Sequence, residues 1–176
     1  LSAIEELGKI KSEEIVKILM AVVEDRYEDW KLRGRAIRLL GEAKNPIAID
    51  LLIKFLNDIF LNDDCPAMKL DAVIALGNFK DQRVINTLTD MLNDDLLTIR
   101  EAAIFSLGEI GDNKTLPYLI SLLNDKSFTI RKSAIYSLGK IGDPEAIPFL
   151  RQLLDREHDP LIKNKASIII QLLSKD

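Results

Sequence analysis

The stretch Ala103-Ile-Phe-Ser-Leu-Gly108-Glu-Ile-Gly111-Asp112 returns almost letter for letter as Ala134-Ile-Tyr-Ser-Leu-Gly139-Lys-Ile-Gly142-Asp143. This decapeptide carries the signature of the fold. Its first six letters, Ala-[Ile/Val]-x-x-Leu-Gly, occur again as Ala3-Ile-Glu-Glu-Leu-Gly8, Ala36-Ile-Arg-Leu-Leu-Gly41 and Ala72-Val-Ile-Ala-Leu-Gly77, and degenerately as Ala166-Ser-Ile-Ile-Ile-Gln171. The copies are 33, 36, 31, 31 and 32 residues apart, the length of one helical hairpin. Each hairpin has an apolar face that it cannot bury alone, so stacked neighbours must share one continuous core.

Each interval between copies holds two helical patterns. The first opens on a side chain able to accept from the free amides of a first turn: Ser12, Asn45, Asp81, Asp112 and Asp143. Pro46 and Pro144 follow at the first helical position, where a missing amide proton costs nothing. These helices carry apolar residues at helical spacing, as in Ile147, Leu150, Leu153 and Leu154, and end near Asn93-Asp94, Asn124-Asp125 and Asp155. The second helix contains the signature and ends at Gly111 or Gly142 in the most regular copies, where glycine can turn left-handed. The spacing predicts second-type helices near 1–10, 29–43, 66–79, 97–110, 128–141 and 160–174. First-type helices are predicted near 13–24, 46–60, 82–93, 113–124 and 144–155. The expectation is an all-α solenoid of about 5.5 two-helix repeats and about 11 helices, forming one domain over 1–176. The chain starts in the middle of a hairpin, which suggests a fragment of something longer.

Composition restricts the function classes. With 176 residues, 47 % hydrophobic and 30 % charged, the chain is ordinary globular material. A net charge of −4 without a basic run argues against nucleic acid as a partner. A single cysteine, Cys65, permits no internal disulfide and fits a reducing, cytoplasmic setting. No apolar run approaches the roughly 18 residues of a membrane span. The one histidine, His158, lies in a polar stretch and cannot build a three-histidine zinc site. No Gly-rich phosphate loop or serine elbow occurs. No cofactor and no catalytic residue is therefore expected.

The pattern Asp94…Ile99-Arg100…Ala103…Leu107-Gly108…Ile110-Gly111-Asp112, repeated from Asp125 to Pro144, resembles HEAT repeats, specifically the short variety often called bilin-lyase HEAT-like repeats. The resemblance covers essentially the whole chain. It implies a right-handed α-α superhelix whose second helices line a concave groove. It also implies a ladder in which an acidic residue stands six before a basic one, matched here by Asp63 and Lys69, Asp94 and Arg100, Asp125 and Arg131, and Glu157 and Lys163. Arg33 departs from it, because Tyr27 stands six residues earlier. A phosphate-binding track would use the same bases, but their place about 60° from the buried face favours a structural ladder.

Function should therefore be sought where the repeats differ. The residue two after each signature Ala lies about 200° around the helix from it and faces away from the core. It is Glu5, Arg38, Ile74, Phe105, Tyr136 and Ile168, so four successive copies are apolar or aromatic. Either such a row is a partner surface or inter-repeat packing buries it; exposure separates the two. Read as a surface, Ile74, Phe105, Tyr136, Ile168 and Arg38 would hold another protein or a peptide. The resemblance leaves a bilin or tetrapyrrole lyase, or a chaperone for such pigments, as the alternative. Three further features stand out: the lengthened interval Phe55–Met68 with Cys65, the aromatics Tyr27 and Trp30, and the apolar final helix. That helix, with Ile168-Ile-Ile170 and Leu172-Leu173, would be covered by a following segment or by self-association through the terminal repeats.

Overall fold

Capping fixes where the helices begin. In the computed structural model, which describes residues 12–58 and 65–175, all five expected side chains accept from amides two or three residues on. Ser12 accepts from the Ile15 N–H at 3.3 Å, Asn45 from Ile47 at 3.2 Å, Asp81 from Arg83 at 2.8 Å, Asp112 from Lys114 at 2.9 Å and Asp143 from Glu145 at 2.8 Å. Each bond satisfies a donor that the first turn leaves without a helical partner.

Ten α-helices result among the described residues: α1 (Glu13–Glu24), α2 (Trp30–Ala43), α3 (Ile49–Asn57), α4 (Pro66–Leu76), α5 (Gln82–Asp90), α6 (Leu97–Ile110), α7 (Leu116–Ser121), α8 (Phe128–Ile141), α9 (Ile147–Arg156) and α10 (Pro160–Leu173). The eleventh expected helix, near 1–10, lies outside the described residues, as do Glu5, Asp63 and the middle of the lengthened interval, 59–64. Three of the first-type helices open with a single 3-10 turn, over Pro46–Ala48, Asn113–Thr115 and Pro144–Ala146. Gly111 at φ 64° and Gly142 at φ 78° close α6 and α8 in the left-handed conformation. Lys44 closes α2 the same way at φ 53°, without the freedom of a glycine.

The chain divides into two compact units, one ending at Leu88 and one beginning at Thr89. In the first, α2 packs on α1 and α4, and α3 on α4; in the second, α8 packs on α6, α7 and α10, and α9 on α10. Both units bury the same signature letters. Ala36, Leu40, Ala72 and Leu76 in the first, and Ala103, Leu107, Ala134 and Leu138 in the second, have no exposed surface. The signature glycines let neighbouring second helices approach closely. A Cβ placed on Gly41 would stand 2.7 Å from the Ala75 Cα, and one on Gly108 2.6 Å from the Ser137 Cβ.

Two bases of the ladder, Arg100 and Arg131, bind main-chain oxygens. Arg100 donates through Nη1 to the Asp94 carbonyl at 2.5 Å and to that of Asp95 at 3.0 Å; Arg131 repeats this with Asp125 at 3.0 Å and Lys126 at 3.2 Å. The carboxylates meanwhile fold the turns, Asp94 accepting from Leu96 N–H and Asp125 from Ser127 N–H. Each base thus holds the connection leading into its own helix. The expected partnership of Glu157 with Lys163 is replaced by one across repeats: Arg131 Nε lies 2.8 Å from Glu157 Oε2, while Lys163 is exposed. Glu157 is oriented toward α8 because its other oxygen accepts from the His158 and Asp159 amides. Arg33, outside the expected pattern, does the same work from a buried position, its Nε and Nη2 both donating to the Val23 carbonyl at the end of α1.

Candidate binding surface

In the second unit, α6, α8 and α10 lie side by side and each presents the third residue of its signature outward. Phe105 is 43 % exposed, Tyr136 50 % and Ile168 46 %, although the residues on either side of Phe105 and of Tyr136 are buried. This follows from helical geometry: turning Ala103 and Leu107 into the core leaves Phe105, about 200° from Ala103, on the opposite face. The phenyl and phenol rings are nearly parallel, with an interplanar angle of 9° and centroids 6.0 Å apart. That separation suits two offset rings forming one continuous apolar platform.

The platform rests on a stiff base. Ser137, fully buried between the helices, donates its hydroxyl to the Ile104 carbonyl at 2.9 Å and so ties α8 to α6 directly beneath the rings. Its small size also accommodates Gly108 on the facing helix. The rings therefore stand on helices fixed by packing and a buried hydrogen bond, so little ordering remains for binding to accomplish.

Beside the rings is an open cavity of about 320 Å³ bordered by Phe105, Lys132, Ser133, Tyr136, Ser137 and Lys165. A smaller one of about 120 Å³ continues between Tyr136 and Ile168, with Lys165 again at its edge. One turn farther along the helices, Glu109 and Lys140 pair at 3.0 Å, and the carboxylate holds the Lys140 ammonium above its ordinary pKa. Lys132 sits with its ammonium 5.9 Å from the centre of the Phe128 ring on its own helix. Among the described residues, neither Lys132 nor Lys165 has a carboxylate partner.

The first unit presents the other two predicted residues. Ile74 on α4 is 45 % exposed, and Arg38 on α2 is exposed but committed, its Nη1 2.6 Å from Asp71 Oδ2 on α4. Lys165 escaped the sequence reading. It directly precedes the signature Ala166, where the other described copies carry Arg35, Asp71, Ala102 and Ser133, and that variability was its only signal.

His158 is exposed, Tyr27 is fully exposed, and Trp30 is half-exposed with the Lys31 ammonium 5.6 Å from its ring. Cys65 precedes α4 and is half-buried. In α10, Ile169 and Ile170 are half-buried and Leu173 is buried, whereas Leu161 and Leu172 are exposed. Among the described residues there is no group of three His, Cys, Asp or Glu side chains placed to hold a metal ion. No helix among them is long and apolar enough to cross a membrane.

No curated protein matches the chain in sequence. Among solved structures it is similar to the complex of CpcE and CpcF of phycocyanin lyase from Nostoc sp. PCC7120, with a TM-score of 0.72 and 24 % identity, covering 92 % of this chain and 65 % of that one. The chain thus spans about two thirds of that relative's length. A designed armadillo repeat protein in complex with the peptide (KR)4 superposes with a TM-score of 0.64 at 19 % identity, covering 98 % of this chain and 92 % of the other. Human deoxyhypusine hydroxylase in complex with glycerol gives 0.56 at 14 % identity, covering 97 % and 77 %. At such identities these likenesses establish the fold alone. The family model for HEAT repeats matches four times, over residues 1–59, 26–99, 53–127 and 98–170, and the chain belongs to the HEAT-repeat family.

Proposed function

We propose that this protein is a non-catalytic scaffold that binds another protein or a peptide through the outward row of its second-type helices, in a reducing, cytoplasmic setting. The observation that carries the proposal is the pair Phe105 and Tyr136, stacked, about half exposed and supported by a rigid helix pair. Aromatic residues contribute large contact area at low entropic cost and are over-represented among binding hot spots. An apolar row left in water on a well-packed fold is a surface for a partner. Ile168 extends the row in the second unit, while Ile74 and Arg38 offer a more polar counterpart in the first. The designed armadillo protein in complex with a peptide lends support, as a fold of the same class holding a peptide. Replacing Phe105 and Tyr136 together by Ala should leave helix content unchanged and abolish most binding; a double variant that binds as well as the parent would end the proposal.

One observation favours a second reading. Two aromatic rings beside two unpaired lysines could also take a flat dicarboxylate pigment, and the similarity to the phycocyanin lyase complex points the same way. Mixing the protein with biliverdin and recording the visible spectrum decides this. A shifted band that disappears in the Phe105→Ala/Tyr136→Ala variant would replace the protein-binding reading, and an unchanged spectrum would remove the pigment.

A further inference from the structure

We infer that the occupant of the second unit's surface is an acidic protein segment, in which an aromatic or large aliphatic side chain lies on the Phe105–Tyr136 platform and a neighbouring Asp or Glu reaches Lys132 and Lys165. This deepens the protein-binding reading and rests on it. The charge around the row is uneven. On the far edge Glu109 and Lys140 satisfy each other, leaving no net attraction there. On the near edge both Lys132 and Lys165 border the 320 Å³ cavity without a carboxylate of their own, and Lys165 borders the smaller cavity too. A polar wall therefore faces an apolar floor across a single cavity, so one ligand must satisfy both chemistries within a few ångströms.

A carboxylate entering there meets two ammonium groups that have no carboxylate of their own, and such charge complementarity selects a partner. A Lys- or Arg-rich segment would place like charges against the same wall. Glu101, half-buried one turn before Phe105, gives α6 a carboxylate at the position that Lys132 holds on α8. The segment's acidic end therefore lies over α8 and α10, and any basic residue it carries lies over α6.

The test is selection from a random twelve-residue phage-displayed library on the immobilised full chain, followed by anisotropy titration of the selected peptides made synthetically with a fluorescent label. The expected peptides carry Asp or Glu within a few positions of an aromatic or large aliphatic residue. Their Kd should rise about tenfold or more with Lys132→Glu/Lys165→Glu, and comparably when the peptide's acids are replaced by amides. Raising the salt concentration should weaken them as well. Circular dichroism of the charge-reversed variant should match the parent, because both lysines reach solvent.

Peptides that need Phe105 and Tyr136 but are neutral or basic, or acidic peptides indifferent to the lysine reversal, would overturn this inference while leaving the scaffold reading intact. Selected peptides indifferent to Phe105→Ala/Tyr136→Ala, or no enrichment at all, would overturn both.

Discussion

Replacing Gly108 by Ala should destabilise the protein, against the usual sign for that substitution within a helix. Removing a glycine from a helix interior ordinarily gains about 1 kcal/mol. At Gly108 the new methyl would lie 2.6 Å from the Ser137 Cβ, 2.7 Å from its Oγ and 2.9 Å from its Cα. Two of those three atoms cannot be moved by rotating a side chain, so α6 and α8 must separate. Overpacking of this kind costs about 1–3 kcal/mol. Shifting Ser137 also endangers its buried bond to the Ile104 carbonyl, worth about 1 kcal/mol. The sum is a net loss of about 1–3 kcal/mol, read as a lower urea midpoint by far-ultraviolet circular dichroism with an unchanged slope. Gly41→Ala, facing the Ala75 Cα at 2.7 Å, should lie at the upper end of that range. Gly139→Ala should lie near its lower end, because the obstacle is the Ile169 Cδ1, the far end of a side chain that can rotate. Pairing Gly108→Ala with Ser137→Gly should recover part of the loss as a coupling energy. A Gly108→Ala protein more stable than its parent would refute the close crossing that supports the aromatic platform.

Lys44→Gly should stabilise by about 0.5–1 kcal/mol in the same unfolding assay, since it relieves a left-handed lysine at φ 53°. Arg33→Met should cost about 2–3 kcal/mol, because it strips the Val23 carbonyl of two buried charge-assisted bonds; a neutral result would mean that water replaces the guanidinium there. The Glu157 carboxyl is held below its ordinary value of 4.5, first by the Asp159 amide and then by Arg131. Its contribution is complete above about pH 4.5 and is lost as the pH falls through the lower folded value, so Glu157→Gln should flatten that part of the acid-unfolding profile.

Much of the fold was legible because its determinants are local and repeated. Ser12, Asn45, Asp81, Asp112 and Asp143 cap as expected since capping depends on two or three neighbouring residues, and Ala103 or Leu138 declare burial through helical period alone. The partner of Glu157 was not legible, because Arg131 lies 26 residues away and only the stacking of α8 on α10 brings them together. The role of Arg33 was hidden for a related reason: its connection is lengthened, so the carbonyl it serves is ten residues upstream instead of six. For the binding surface, helical angle predicted which way Phe105, Tyr136 and Ile168 point. It could not predict the ring stacking, the cavity beside it or the part played by Lys165, which arise from the spacing between helices. Arg38 shows the converse, a residue on the expected face whose charge is already taken by Asp71.

The most direct test is the affinity of one selected peptide for the parent chain and for the Phe105→Ala/Tyr136→Ala variant, with circular dichroism confirming equal helix content. Binding through the aromatic platform predicts a loss of about 2 kcal/mol or more, roughly a thirtyfold rise in Kd. An unchanged Kd in a fully folded variant would contradict it.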